Sequence, residues 1–163
     1  YATDSQLRSI VFWSFGSLGG ATWRSTTAVA PLIVAGALLL PRWGRALNLL
    51  SLGEREARHL GVETERVRLV LIVLTALITG AAVAVCGTIG FVGLVVPHLA
   101  RFLVGVDYRW ILPYAAVLGG TFLVLADILG RLALRPQELP VGVMTALVGG
   151  PVFVALVRWR VRR

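Results

Sequence analysis

Long apolar runs separated by short polar stretches dominate the pattern of this chain. A helix needs roughly 20 residues to cross the hydrocarbon core of a bilayer, and inside lipid it must satisfy its own backbone hydrogen bonds. Four segments come close to this length, and the second is preceded by Thr64, a candidate N-cap. We therefore predict an all-α integral membrane protein whose main spans are residues 23–43, 67–86, 111–130 and 141–157.

A fifth apolar run, "GTIGFVGLVVPHLARFLVG", is interrupted by glycines, by Pro97 and by the polar residues His98 and Arg101. Irregular backbone at membrane depth is tolerated only where protein or a water-filled cavity surrounds it. We predict that residues 88–105 form a broken or short helix inside the bundle. Upstream, "LRSIVFWSFGSLGGATW" predicts a short helix that ends in a glycine-rich turn.

The polar stretch "LNLLSLGEREARHLG", residues 47–61, lies between the first two predicted spans. Ser51 and Glu54 fit a capping box, and Gly61 fits a helix stop. The helix between them carries residues at i, i+4 spacing with an alanine beside them, namely Leu52, Glu56, Leu60 and Ala57. Such a short helix needs packing to be stable. It could lie at the membrane surface or dock a cytoplasmic partner.

Arginine positions set the expected orientation, because cytoplasmic loops carry an excess of basic residues. One group of arginines flanks the polar stretch and a second group forms the tail: Arg42, Arg45, Arg55, Arg58, Arg66 and Arg68, then Arg158, Arg160, Arg162 and Arg163. Both regions should face the cytoplasm. Residues 134–140 then lie outside and residues 105–110 inside, so the broken segment 88–105 must also cross.

Composition agrees with this interpretation. The mean hydropathy is +0.82, and 57% of the 163 residues are hydrophobic, outside the range of ordinary soluble domains. The net charge of +8 comes from arginine, because the chain contains no lysine. A solvent-exposed basic face would suggest nucleic-acid binding. Here the arginines cluster at the ends of apolar runs, so membrane topology explains them and no nucleic-acid partner is expected.

Candidate chemistry is sparse. Cys86 is the single cysteine and can form no internal disulfide. His59 and His98 lack the neighbouring cysteines or carboxylates of a metal site. Phosphate-loop and nucleophile-elbow motifs are absent from the sequence. We therefore expect no catalytic residues, no metal and no cofactor, and any energy input must come from another protein.

Arg131 and Arg135 lie on the side of the membrane that the positive-inside rule disfavours. Asp127 precedes Arg131 by four residues, so the two side chains could neutralise each other near a helix end. Alternatively, Arg131 projects outward to a carboxylate of an external protein, because the planar guanidinium group suits carboxylates.

Several of these stretches, in this order and spacing, closely resemble the C-terminal half of the FecCD family. They are "FWSFGSLGGATW", "LNLLSLGEREARHLG", "GTIGFVGLVVPHLARFLVG" and "LADILGRLALRPQELPVGVMTALVGGPVFVALVRWR". The resemblance covers nearly the whole chain. It implies a polytopic helical bundle with about five transmembrane helices of a ten-helix permease subunit, and Tyr1 would fall near the end of the fifth helix.

The resemblance also implies a function. FecCD proteins are permeases of type II ABC importers for iron-siderophore complexes, haem or vitamin B12. The expected partners are cytoplasmic ABC ATPase subunits that hydrolyse ATP, a periplasmic or lipoprotein substrate-binding protein, and a second permease subunit in a homodimer or close heterodimer. The expected location is the bacterial inner (plasma) membrane, with a cytoplasmic C-terminus. The alternatives are a zinc or manganese ABC permease and a non-transporting structural or receptor subunit.

Site residues follow by position. The resemblance makes residues 47–61 the coupling helices that contact the ATPase, through Leu52, Gly53, Glu54, Ala57, Arg58, Leu60 and Gly61. Arg131 falls where the family has an outward arginine that pairs with the binding protein. Glycines permit close backbone approach, so we expect the translocation pathway to be lined by Trp13, Gly16, Ser17, Gly90, Gly93 and Pro97.

Overall fold

The computed structural model describes residues 13–133 and 139–161, with the backbone alone for residues 156, 157 and 159–161. Its helices are α1 (Trp23–Leu39), a 3₁₀ helix (Leu40–Trp43), α2 (Gly44–Leu50), α3 (Glu54–His59), α4 (Thr64–Cys86), α5 (Val92–Val104), α6 (Tyr108–Ala133) and α7 (Val141–Val161). These residues contain no strand, so the fold is all-α, as predicted. Residues 7–12 of the predicted upstream helix, Arg135 and the last two arginines lie outside the described residues, whereas residues 13–15 of that helix are helical.

Helix α1 begins at a capping box that the sequence analysis did not identify. Thr22 Oγ1 accepts from the Ser25 amide at 3.2 Å, and Ser25 Oγ accepts from the Thr22 amide at 3.0 Å, so two otherwise unsatisfied amides are paired. The predicted span 23–43 is α-helical only to Leu39. Pro41 has no N–H to donate, and the last four residues tighten into the 3₁₀ helix.

Three helices extend beyond their predicted limits: α4 begins at Thr64, α6 runs from Tyr108 to Ala133, and α7 continues to Val161. The added turns are helical although they lie outside the apolar runs. Three helical stretches are long and apolar enough to cross a membrane: Trp23–Leu50, Thr64–Cys86 and Tyr108–Ala133. Val92–Val104 and Val141–Ala155 are shorter apolar helices. The described bundle therefore contains three full-length candidate spans and two shorter apolar helices.

Helix α5 follows an irregular segment at residues 87–91. Phe91, immediately before α5, has a left-handed backbone with φ of 65°, and the helix ends before Gly105 at φ of +79°. The interrupted apolar run is thus a loop followed by a 13-residue helix. This is the kind of arrangement that its glycines predicted.

The packing brings the polar segments to two ends of the bundle. Helix α5 packs most extensively along α6, α1 packs on α4, and α7 packs on both α5 and α6. Residues 40–66 and 105–110 form what we call the short-helix end, where α2 packs on the beginning of α6. Residues 13–22, 86–91 and 139–141 form the opposite end.

Candidate functional site

The polar stretch 47–61 forms the end of α2, a turn and α3. Gly53, at the N-cap of α3, has φ of +131° and ψ of 151°, a conformation that is essentially restricted to glycine. At the other end of α3, the Gly61 amide donates to the Arg58 carbonyl and the Val62 amide donates to the Ala57 carbonyl, both at 3.0 Å. These two bonds form a Schellman motif, so Gly61 ends α3 as predicted.

The predicted capping box of Ser51 and Glu54 is wrong. Ser51 Oγ instead donates to the Asn48 carbonyl at 2.6 Å, which closes the last turn of α2. Gly53 occupies the N-cap of α3, where no side-chain capping bond forms. The pattern misled because the predicted single helix is two helices, and Ser51 belongs to the end of the first.

Glu54 belongs to a charged cluster that joins α3 to α4. Its Oε1 lies 2.9 Å from Arg58 Nη2, and its Oε2 lies 3.7 Å from Arg68 Nη2. Arg58 Nε also donates to Thr64 Oγ1 at 3.1 Å. The hydrogen bond from Arg58, and then the charge of Arg68, hold the pKa of the Glu54 carboxyl below its ordinary value.

Thr64 was predicted to be the N-cap of α4, and this too is wrong. Glu63 precedes α4 at the cap position, without a side-chain capping bond, and Thr64 is the first helical residue. Thr64 is buried, at 4% exposure, and its hydroxyl is engaged by Arg58 rather than by an amide of α4. Tertiary contacts with α3 have overridden the local capping preference.

The same cluster fixes which side of α3 faces outward. Ala57 is fully buried, whereas Leu52 and Leu60 are 67% and 60% exposed. The segment therefore presents two exposed apolar side chains, while Glu54 and Arg58 bind each other. Within the part of the chain that the structure describes, no group of three or more potential metal ligands occurs.

Sequence analysis missed the contact that fastens this segment to the bundle. Asn48 Nδ2 donates to Asp107 Oδ1 at 2.6 Å, and Asn48 Oδ1 accepts from the Tyr108 amide at 2.9 Å. Asp107 Oδ1 also accepts from the Arg109 amide at 3.0 Å. These bonds lower the pKa of the Asp107 carboxyl, chiefly through Asn48. An aspartate before an apolar helix is an N-cap signal, but no sequence signal pointed to its partner 59 residues away.

At the opposite end, Arg131 lies in the last turn of α6. Its Nε lies 2.8 Å from Asp127 Oδ2, so the intrahelical pair is formed, and Arg131 makes a further interaction as well. The Arg131 side chain is 48% exposed and that of Asp127 is 22% exposed. The guanidinium is therefore half exposed beside its paired carboxylate.

Three of the residues predicted to line the pathway meet at a backbone crossing at the opposite end. The Ser17 amide donates to the Cys86 carbonyl at 2.8 Å, Thr88 Oγ1 donates to the Ser14 carbonyl at 2.5 Å, and Gly142 donates to the Gly16 carbonyl at 3.4 Å. Gly16 is buried within this crossing, Ser17 is half-buried and Trp13 is exposed.

The other residues of that predicted set lie beside the crossing rather than in it. Gly90 and Gly93 are exposed at the start of α5, and a Cβ added at either one would meet nothing within 4 Å. Pro97 is half-buried within α5. Trp13, Gly16 and Ser17 therefore lie together at one crossing, whereas the space around Gly90 and Gly93 is open.

Comparison with known proteins gives several extended matches. The chain is 49% identical over 154 residues to the hemin transport system permease protein HmuU of Yersinia pestis, a match that covers 94% of this chain and 46% of the relative. It is 42% identical over 155 residues to the cobalamin import system permease protein BtuC of Halobacterium salinarum, covering 95% and 42%. The chain thus spans about half the length of the curated relatives it matches.

A solved structure and a family profile extend this likeness. The structure, described as an inward-facing conformation of a metal-chelate type ABC transporter, superposes with a TM-score of 0.89 at 38% identity and covers 96% of this chain and 51% of that one. The FecCD transport family matches residues 1–159. From the sequence match and the shared bundle together, this chain belongs to the FecCD transport family.

Proposed function

We propose that this chain supplies the C-terminal half of a permease subunit of an ABC importer in the bacterial inner membrane. The cargo class is a metal chelate or corrinoid: an iron-siderophore complex, haem or cobalamin. Support comes from the relatives, which are named as permeases for hemin and cobalamin and have about twice the length of this chain. A bundle with three helices long enough to span a membrane supports it as well.

The observation that carries the coupling role is the construction of α3. Its charged cluster holds Glu54, Arg58 and Thr64 together, while Leu52 and Leu60 are left exposed. Exposed apolar side chains at the two ends of a short, firmly held helix suit burial in a hydrophobic cleft of a partner. We assign that cleft to the cytoplasmic ABC ATPase, which hydrolyses the ATP, and the orientation predicted from the arginines places α3 on its side of the membrane.

Transport then follows from alternating access. ATP binding brings the two ATPase subunits together, and their clefts carry α2 and α3 with them. A partner shifts such an equilibrium only by its differential affinity for the two states. A helix closed by a Schellman motif and tied to α4 transmits that difference better than a flexible loop. The cavity opens between this permease subunit and a second one, which forms a homodimer or a close heterodimer with it.

Substitution of the two exposed leucines tests the coupling role. In the complete permease, Leu52→Ser with Leu60→Ser should leave the fold intact, because both side chains are exposed, but should abolish co-purification of the ATPase. Val106→Ser is the matched control, because Val106 is 83% exposed and lies at the same end outside α3. Equal recovery of the ATPase with the double variant and the control would remove the coupling assignment.

Arg131 is assigned to docking of the external substrate-binding protein. The Asp127 carboxylate holds the guanidinium when no partner is bound, and a carboxylate of the binding protein exchanges with it on docking. Arg131→Glu should therefore weaken docking, and reversal of one acidic residue on the binding protein should restore it. Unaltered docking of the Arg131→Glu permease, measured by surface binding to the complex in nanodiscs, would contradict this assignment.

A further inference from the structure

We propose that Asn48 is a positioning residue that fastens the α2–α3 segment to α6, so that α6 moves with the coupling helices. This role rests on the proposed function and adds a specific route to it. One route follows the chain from α3 into α4 through residues 60–63. The contacts of Asn48 provide a second route, which runs directly from α2 to the start of α6.

The Asn48 amide uses both of its polar atoms across this junction. Nδ2 donates to Asp107 Oδ1 at 2.6 Å and Oδ1 accepts from the Tyr108 amide at 2.9 Å. One partner is the residue before α6 and the other is the first residue of α6. Two bonds from one planar group fix both the distance and the orientation of α2 relative to α6. A single bond would leave rotation free.

Charge and partial burial strengthen this junction. The Asp107 carboxylate is an ionised acceptor, and hydrogen bonds with one ionised partner are shorter and stronger than neutral ones. Both bonds of Asn48 are partly buried. The same carboxylate oxygen accepts from the Arg109 amide. Displacement of Asn48 would therefore disturb the first turn of α6.

A second contact lies one helical turn earlier on the same face of α2. Gly44 precedes Asn48 by four residues, and a Cβ added at Gly44 would lie 2.9 Å from both the N and the Cα atoms of Arg109. The backbones of α2 and α6 therefore approach each other too closely for any side chain at this position. Residues four apart share a helix face, so α2 is held against α6 at two points.

Helix α6 leads from this junction to the opposite end of the bundle. It is one continuous helix from Tyr108 to Ala133, and the distance from its start to Arg131 is about 35 Å at 1.5 Å per residue. Its N-terminus is held by Asn48, and its last turn carries Arg131, the residue proposed to dock the binding protein. The Asn48 contact thus connects the two proposed partner sites through one continuous helix.

The test uses the complete permease with its ATPase and substrate-binding protein in proteoliposomes, with complexes purified through a tag on the ATPase. Asn48→Asp places a carboxylate against the Asp107 carboxylate, and the two repel each other. We expect ATPase stimulation by the loaded binding protein to fall by about tenfold, while complex recovery and basal ATPase activity stay as in the wild type.

Two further variants test whether stimulation depends on the contact between residues 48 and 107 rather than on asparagine at position 48. Asp107→Asn alone should keep stimulation, because its amide oxygen still accepts from Asn48. Asn48→Asp combined with Asp107→Asn should regain part of the stimulation, because the two carboxylates no longer repel each other. Recovery is incomplete because one atom of residue 107 cannot both donate to residue 48 and accept from the Arg109 amide. Ser51→Ala is the matched control, since the Ser51 hydroxyl bonds to the Asn48 carbonyl in the last turn of α2, and it should behave as the wild type.

Wild-type stimulation by the Asn48→Asp permease would overturn the role of Asn48. So would failure of the double variant to regain stimulation, or loss of the whole complex with Asn48→Asp, because the residue would then serve assembly rather than coupling. A wild-type complex that shows no stimulation would instead contradict the proposed function, and the role of Asn48 would fall with it.

Discussion

The two ends of the bundle are held together by different parts of the chain. At the short-helix end, side chains make connections in addition to the close approach of Gly44 to Arg109: Asn48 bonds to Asp107, and Glu54 and Arg58 join α3 to α4. At the opposite end, backbone meets backbone, and Gly142 lies so close to the Phe15 carbonyl that a Cβ could not be accommodated.

This difference separates an adaptable region from a fixed one. The exposed ion pairs of α3 contribute little net free energy and can be exchanged for bonds to a partner, whereas the partly buried Asn48 contact keeps α2 on α6. Closely packed backbone segments cannot exchange their contacts in this way, because any added atom between them would clash. The short-helix end is therefore suited to respond to a partner, whereas the crossing at the opposite end holds α4, α5 and α7 in a fixed relation.

The largest expected effect comes from filling the crossing. Gly142→Ala places a methyl group on the Phe15 carbonyl and near the Thr88 carbonyl. Overpacking of this kind costs about 1–3 kcal/mol or more, and two main-chain segments would have to move. We expect a large loss of monodisperse permease after detergent extraction and a lower thermal midpoint.

Gly80→Ala is the control for that substitution. Gly80 lies within α4, and a Cβ there would meet nothing within 4 Å. Alanine favours helix over glycine by about 0.5–1 kcal/mol, so the thermal midpoint should stay constant or rise. A thermal midpoint for Gly142→Ala equal to that for Gly80→Ala would show that the crossing is not fixed by its backbone contacts.

An intermediate effect is expected at Gly53, whose backbone conformation determines where α3 begins. Its backbone conformation costs on the order of 1–3 kcal/mol for a residue with a side chain, and the new Cβ would meet the Glu56 carboxylate. Gly53→Ala should misplace α3 and lower stimulated ATPase activity by about tenfold. Gly105→Ala, also at positive φ but outside α3 and with open space around its Cβ, should keep that activity.

The smallest effect is expected from Glu54→Gln, because the carboxylate is exposed and its pairs are screened. Hydrogen exchange of the α3 amides should rise by about two- to fivefold at neutral pH. Since Arg58 and Arg68 hold the folded pKa below the ordinary 4.5, the stabilising contribution is complete above pH 4.5 and is lost as the pH falls through the lower folded value. The wild type and the variant should therefore converge only in acid, and a constant difference across that range would contradict the ion-pair account.

Hydrophobic patterning predicted the parts of the fold that depend on local sequence. Apolar run lengths located the helices, and the glycines of residues 87–105 indicated the interruption before α5. The i, i+4 spacing of Asp127 and Arg131 allowed a pair that the structure contains. Gly61 as a helix stop was also correct, because a Schellman motif is defined within six consecutive residues.

The errors occurred where distant segments decide local structure. Ser51 and Thr64 both have the chemistry of N-caps, but Ser51 bonds back into α2 and Thr64 is buried against Arg58. The contact between Asn48 and Asp107 joins residues 59 apart, and neither helical nor strand periodicity carries such information. Tertiary context overrides weak local preferences in this way.

Site-specific photocrosslinking tests the coupling role of α3 most directly. In a Cys86→Ala background, Leu52→Cys carries a benzophenone in the assembled importer, and Val117→Cys, which is 70% exposed in the middle of α6, serves as the control. The account predicts that residue 52 crosslinks to the ATPase and residue 117 does not. An ATP-hydrolysing complex with no crosslink from residue 52, or with equal crosslinks from both positions, would contradict it.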